Sequence, residues 1–259
     1  MGFFTSIESL QAKKNSLLCV GLDPRVERDP LSTPDKQITD SMKRIVDATV
    51  DIAIAYKPNI AFYEVHGTGG LEALVELCDH IPDDIPIILD AKRSDIGATA
   101  ENYATEIFRN YRADATTIGP YMGRDALEPF LEYNGRAVFV VCRSSNPSAR
   151  ELQDLEVEGE PLYVTLARIA SSWSDRVGLV VAGNDPSAMA KVRAAAPQAW
   201  FLAPGIGAQG GDIGHAVKAG ARADGLGVLP TVSRSIAKAA DPGKAARELR
   251  DAVNKALDR

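Results

Sequence analysis

The chain of 259 residues is poor in the residue types on which metal and redox chemistry rest. It has three cysteines, Cys19, Cys78 and Cys142, and three histidines, His66, His80 and His215. No cysteines form a C-x-x-C pair, and three cannot all pair within one chain. Cys19 and Cys142 lie in the apolar runs LLCVGL and VFVVCR, as small buried hydrophobes in a reducing compartment do. The histidines are scattered with no His-x-x-His or His/carboxylate spacing, so no metal site is expected. Long apolar runs are missing too. No segment approaches the roughly 18 residues of a membrane span. The first fifteen residues lack the sustained apolar core of a secretory signal, so no membrane partner and a cytoplasmic location are expected. A basic excess is also absent. The net charge of -6 excludes a general nucleic-acid binder, which needs a positive footprint. It leaves room for a small anionic substrate, because a basic pocket can sit on an acidic protein. The only two tryptophans, Trp173 and Trp200, stand in apolar contexts and are assigned to the core.

What the chain does have is a strand-then-helix rhythm without linkers or low-complexity segments. Short apolar runs end in Gly, Pro, Asn or Asp and alternate with longer amphipathic stretches. Eight strands are expected, at 17–23, 53–59, 86–92, 115–120, 137–142, 177–183, 199–205 and 223–229. Helical patterns run over 36–52, 69–80, 101–111, 163–173, 186–196 and 243–257, and one more, near 4–14, precedes the first strand. Eight such units favour one closed (β/α)8 TIM barrel domain over residues 1–259, with an N-terminal helix; an open doubly wound sheet is the rival.

In a barrel, chemistry belongs at the carboxyl ends of the strands. The polar residues that look out of place cluster there: Asp23, Lys57, Asn59, Asp90, Lys92, Ser145 and Gln209. The richest segment is PIILDAKRSDIGATA (86–100). Residues two apart on a strand share a face, so Asp90 and Lys92 should point together into the barrel mouth. Asp95 follows three residues later. Buried charges need partners, and Lys57, Asp90, Lys92 and Asp95 are expected to form a chain of alternating sign. Such an array keeps Lys92 an ammonium beside carboxylates. The plain alternative, salt bridges that merely close the barrel top, accounts for one such residue better than for the whole set.

A second cluster follows the seventh and eighth strands. FLAPGIGAQGGDIG (201–214) carries closely spaced glycines whose N–H groups can approach a ligand, and LPTVSRSI (229–236) presents Arg234. Many barrels hold phosphate with these two loops, and arginine offers phosphate two parallel donors. Arg143, at another strand end, ranks below Arg234 as an anion binder.

DAKRSDIGATA resembles the signature of the orotidine 5'-phosphate decarboxylases. GLDPR, YKPNIAFYE, CRSSNP (142–147) and APGIGAQGGD (203–212) match as well, in the family's order. The resemblance spans roughly residues 17 to 236 and is to the longer bacterial branch. Ser94, Ala98 and the Ser233–Arg234 pair depart from the residues many members carry there; all flank charged positions without replacing one.

The resemblance implies decarboxylation of orotidine 5'-monophosphate to uridine 5'-monophosphate, closing de novo pyrimidine biosynthesis without metal or cofactor. It implies that Lys92 is the proton donor within the Asp-Lys-Asp array of Asp90, Lys92 and Asp95, ordered by Lys57. Asp23 and Lys57 would hold the ribose, Ser145 the pyrimidine ring with Pro204 nearby, and Gln209 and Arg234 the phosphate. It also implies a homodimer with shared active sites, into which Asp95, Ile96 and Thr99 of each subunit reach. Two rivals remain. Sugar-phosphate barrels such as 3-keto-L-gulonate 6-phosphate decarboxylase and hexulose phosphate synthase share the D-x-K-x-x-D strand, but resemble metal enzymes with an acidic residue where this chain has Lys57. The other is a non-catalytic nucleotide-binding barrel, which has no need of paired charges.

Overall fold

A computed structural model describes residues 1–25, 34–206 and 212–259. Eight parallel strands form its sheet: β1 (Cys19–Leu22), β2 (Ala55–Pro58), β3 (Ile88–Arg93), β4 (Ala115–Ile118), β5 (Ala137–Arg143), β6 (Val177–Val181), β7 (Phe201–Ala203) and β8 (Val228–Val232). Each pairs with its neighbour in sequence, and β8 returns to β1 through Cys19 opposite Thr231. The remaining seam, β2 to β3, is bridged at Tyr56–Ile87 and Asn59–Asp90 and by the Tyr56 N–H donating to the Pro86 carbonyl at 3.0 Å. The result is a nearly closed barrel. Its strands are short apolar runs buried along almost their whole length, as parallel strands covered by helices must be.

The principal helices are α1 (Phe3–Lys14), α2 (Pro34–Thr49), α3 (Thr68–His80), α4 (Gly97–Thr105), α5 (Leu162–Ser171), α6 (Pro186–Ala195), α7 (Ile213–Gly220) and α8 (Pro242–Ala256). Three start on an aspartate whose side chain accepts a backbone N–H of the first turn: Asp185 from Ala188, Asp212 from His215 and Asp241 from Lys244. Proline follows Asp185 and Asp241, where its missing N–H has no intrahelical partner to lose. The helix expected over 101–111 starts earlier and gives way to a π-helical turn at Glu106–Asn110.

Helix α1 closes the amino-terminal end of the barrel. Phe3, Ile7 and Leu10 are buried there, Phe4 stacks on Trp200 and Phe3 meets Phe139 edge-on. Trp200 is core, as its apolar context predicts.

The last strand begins later than the sequence suggests: it spans Val228–Val232 rather than 223–229. The apolar content of ADGLGVL misleads because Gly225 and Gly227 have φ of 75° and 80°, which makes this stretch a turn. No described helix is long and apolar enough to cross a membrane.

Candidate active site

Asp90 organises the carboxyl-terminal mouth. It sits on β3, and its side chain is nearly buried. Four donors converge on it, two per oxygen. Lys57 Nζ and Asn59 Nδ2 reach Oδ2 at 3.0 and 3.1 Å; Lys92 Nζ and Thr117 Oγ1 reach Oδ1 at 2.6 and 2.9 Å. The backbone explains the convergence. Lys57 and Asn59 are two apart at the end of β2, Asn59 is bridged to Asp90 across the β2–β3 seam, and Thr117 lies on the adjoining β4.

The electrostatics follow from this packing. Burial disfavours the charge on Lys57, but the carboxylates of Asp90 and then Asp23 overcome it and hold the ammonium above the usual lysine range. Burial likewise favours a neutral Asp90, yet the charges of Lys57 and Lys92 and their hydrogen bonds hold its carboxyl well below the usual carboxylate range. The two lysines differ in exposure, with 7% of the side chain accessible for Lys57 and 53% for Lys92. The fixed pair is thus inside and the second ammonium faces the opening.

Lys92 shares a face with Asp90, although simple strand alternation does not continue that far. Its φ is 45°, and the β3–β4 register shifts between Leu89 and Arg93.

The expected four-member array is joined over three members. Asp95 stands apart: its Oδ1 accepts the neighbouring Ile96 N–H at 2.9 Å, and no ion pair among the described residues links it to Lys92. Ile96 and Thr99 lie exposed beside it at the start of α4.

A cavity of about 250 Å³ opens at this mouth, and Asp23, Lys57, Asp90, Pro204 and Arg234 line it. One oxygen of Asp23 is buried without a hydrogen-bond partner among the described residues. Ser145 borders a separate polar cavity of about 570 Å³ after β5 and β6, where Asn184 Nδ2 donates to its carbonyl at 3.3 Å. Gln209 lies outside the described residues. Arg143, which also borders that cavity, is buried and paired with Asp154 at 3.2 Å and Asp185 at 3.9 Å. A cavity of about 380 Å³ between α1 and Trp200 lies at the opposite end of the barrel and holds none of the expected residues.

Sequence reasoning listed Asn59 without a role and passed over Thr117 and Arg25. Asn59 carried a usable signal, its spacing of two from Lys57. Thr117 carried none, because threonine is an ordinary strand residue. Arg25 lines the mouth with its guanidinium 5.2 Å from the Phe62 ring centroid. No group of three or more His, Cys, Asp or Glu side chains among the described residues is placed to hold a metal ion.

Residues 16–249 match the family described as orotidine 5'-phosphate decarboxylase / HUMPS. A protein of Roseiflexus castenholzii named orotidine 5'-phosphate decarboxylase is 46% identical, over 99% of both chains. The protein of that name from Thermomicrobium roseum is also 46% identical, over 100% of this chain and 94% of its own. Among solved structures, the OMP decarboxylase of Leishmania donovani superposes with a TM-score of 0.92 at 44% identity, over 100% of both chains. The UMP synthase of the same organism gives 0.94 at 46% identity, and this chain spans 57% of its length.

Proposed function

The chain belongs to the orotidine 5'-phosphate decarboxylase / HUMPS family, and we propose that it converts orotidine 5'-monophosphate to uridine 5'-monophosphate and carbon dioxide as one barrel domain of residues 1–259. This is the last step of de novo pyrimidine biosynthesis. The observation that supports the proposal is the ion-paired chain Lys57–Asp90–Lys92, whose first two members line a cavity together with Asp23 and Arg234.

The phosphate is held by Arg234, whose guanidinium offers two parallel donors, together with Gln209. The ribose hydroxyls bond Lys57 and Asp23, whose unpaired buried oxygen is the kind of acceptor a hydroxyl satisfies. Ser145 bonds the pyrimidine ring, with Pro204 packed near it, and the leaving carboxylate lies toward Asp90 and Asp95. As the bond from C6 to the carboxylate breaks, its electron pair stays on C6. The Lys92 ammonium stabilises that charge and then transfers a proton to C6. Asp90 fixes one side of Lys92 through its 2.6 Å contact and needs no rearrangement during the reaction.

The enzyme works as a homodimer in this proposal. Asp95, Ile96 and Thr99 complete the partner's site, and the exposed side chain of Ile96 is free to reach it. The reaction draws on no metal or cofactor.

The test is the ultraviolet absorbance of orotidine 5'-monophosphate mixed with the purified protein in excess chelator. Rapid loss ending in uridine 5'-monophosphate is expected. No change with folded protein would refute the activity, and turnover only after a divalent metal is added would refute the metal-free chemistry.

A further inference from the structure

We propose that Thr117 is a positioning residue for the reaction, its hydroxyl holding the Lys92 backbone and the Asp90 carboxylate in one fixed geometry. The inference rests on the proposal that Lys92 is the proton donor.

The geometry begins with a mismatch between two strands. Leu89 of β3 pairs with Thr116 of β4, and Arg93 pairs with Ile118. Four steps along β3 therefore face two along β4. The extra length bulges out at Lys92, whose φ of 45° lies in the left-handed region that a residue with a Cβ disfavours. Among the described residues, Lys92 is the only non-glycine with such a φ inside a barrel strand. Bulges of this kind re-aim a side chain and leave a ladder group without its strand partner.

Here that group is the Lys92 N–H, and Thr117, facing the bulge from β4, accepts it at 2.9 Å. The same hydroxyl donates to Asp90 Oδ1 at 2.9 Å. The direction is forced, because an amide N–H only donates and an ionised carboxylate only accepts. Asp90 Oδ1 in turn takes the Lys92 ammonium at 2.6 Å. One hydroxyl thus closes a ring from the Lys92 backbone through Thr117 and Asp90 to the Lys92 side chain. Thr117 is 1% exposed, so no water can take over either bond without a rearrangement. Valine has the shape of threonine but can make neither bond. Serine can make both.

The experiment compares Thr117→Val, Thr117→Ser and Lys92→Ala with the wild-type enzyme on orotidine 5'-monophosphate. Loosening a reacting group by about an ångström lowers turnover on the order of 100-fold. Thr117→Val is accordingly expected to lower kcat about 10- to 100-fold while KM and product inhibition by uridine 5'-monophosphate stay near wild type. Thr117→Ser should recover kcat to within about fivefold, since it keeps the donor and acceptor that fix the geometry. A Thr117→Val enzyme with wild-type kcat beside an inactive Lys92→Ala enzyme would overturn the role of Thr117 alone. So would a loss that appears in KM and thermal stability and is not recovered by serine. Wild-type turnover in Lys92→Ala would overturn the proton-donor assignment, and the inference with it. If Thr117→Val does not fold, amide hydrogen exchange of the wild-type protein decides. A Lys92 N–H as protected as its β3 neighbours supports the hydrogen bond, and one exchanging like an exposed loop amide refutes it.

Discussion

Replacing Asp90 with Asn should destabilise the protein through Lys57, more than through any contact Asp90 makes with solvent-facing groups. Lys57 keeps its ammonium in a nearly dry position because Asp90 lies 3.0 Å away. Removing one partner of a buried pair typically costs about 3–5 kcal/mol, since the other charge stays buried and uncompensated. Asp23 still attracts Lys57, so the lower end of that range applies. For a chain of this size each kcal/mol moves Tm by roughly 2–4 °C, and a drop near 10 °C at neutral pH is expected in thermal unfolding followed by circular dichroism. Lys92 contributes little to this loss because it is half exposed. The pH dependence gives the mechanism away. In the wild type the Lys57 pKa is raised, so its stabilisation is fully present below the unfolded lysine value of about 10.4 and is lost progressively as pH rises from there through the raised one. In Asp90→Asn burial acts with one carboxylate fewer, the Lys57 pKa falls, and neutralisation relieves the penalty. The Tm gap to wild type should therefore narrow between neutral pH and about pH 9.5. The double variant Lys57→Met/Asp90→Asn, which buries no ammonium, should regain at least about half of the lost Tm while remaining inactive. A single variant within about 2 °C of wild type, or a double variant no more stable than the single, would refute the argument.

Three further outcomes follow from the same geometry. Lys92→Ala should lower turnover by at least about a thousandfold in the absorbance assay, as loss of a proton donor and a charge-stabilising group together would, with Tm nearly unchanged. Arg234→Ala, from the wall of the mouth cavity, should raise KM for orotidine 5'-monophosphate about 10- to 100-fold and shift kcat less, because a bidentate charged contact to the phosphate is lost. The thiols of Cys19, Cys78 and Cys142 are all buried, and burial pushes each up to about 12; a thiol reagent at neutral pH should label none rapidly in the folded protein and three after denaturation.

The barrel was legible because its signal is repetitive. Eight apolar runs separated by amphipathic stretches survive an error in any one of them, and the misplaced eighth strand shows what such an error looks like. In ADGLGVL the apolar residues suggest extension, while two glycines at positive φ make a turn of its first half. The charged site was legible where strand spacing is regular, as at Lys57, Asn59 and Asp90. It was less so at Lys92, because a bulge with no glycine or proline to mark it sets the conformation. Asp95 lies beyond the strand end, where its Oδ1 accepts the Ile96 N–H within its own chain, and the alternating sign of the series does not say which subunit's site it serves. Thr117 was invisible because its role depends on what lies opposite it on the next strand.

The two aspartates that line the mouth are held in different states of completion, and the difference bears on what each can do. An ionised carboxylate has roughly four acceptor positions, and fixed donors of the protein fill four at Asp90. Asp90 therefore has no unmet demand for a substrate donor; it serves as an anchor whose bonds set where two ammonium groups stand. Asp23 keeps a buried oxygen without a partner among the described residues, an arrangement that an incoming hydroxyl would relieve. Binding energy should thus be gained at Asp23, whereas Asp90, already satisfied, gains nothing from the ground state. In the proposed reaction its influence would fall on the transition state, through the position of Lys92.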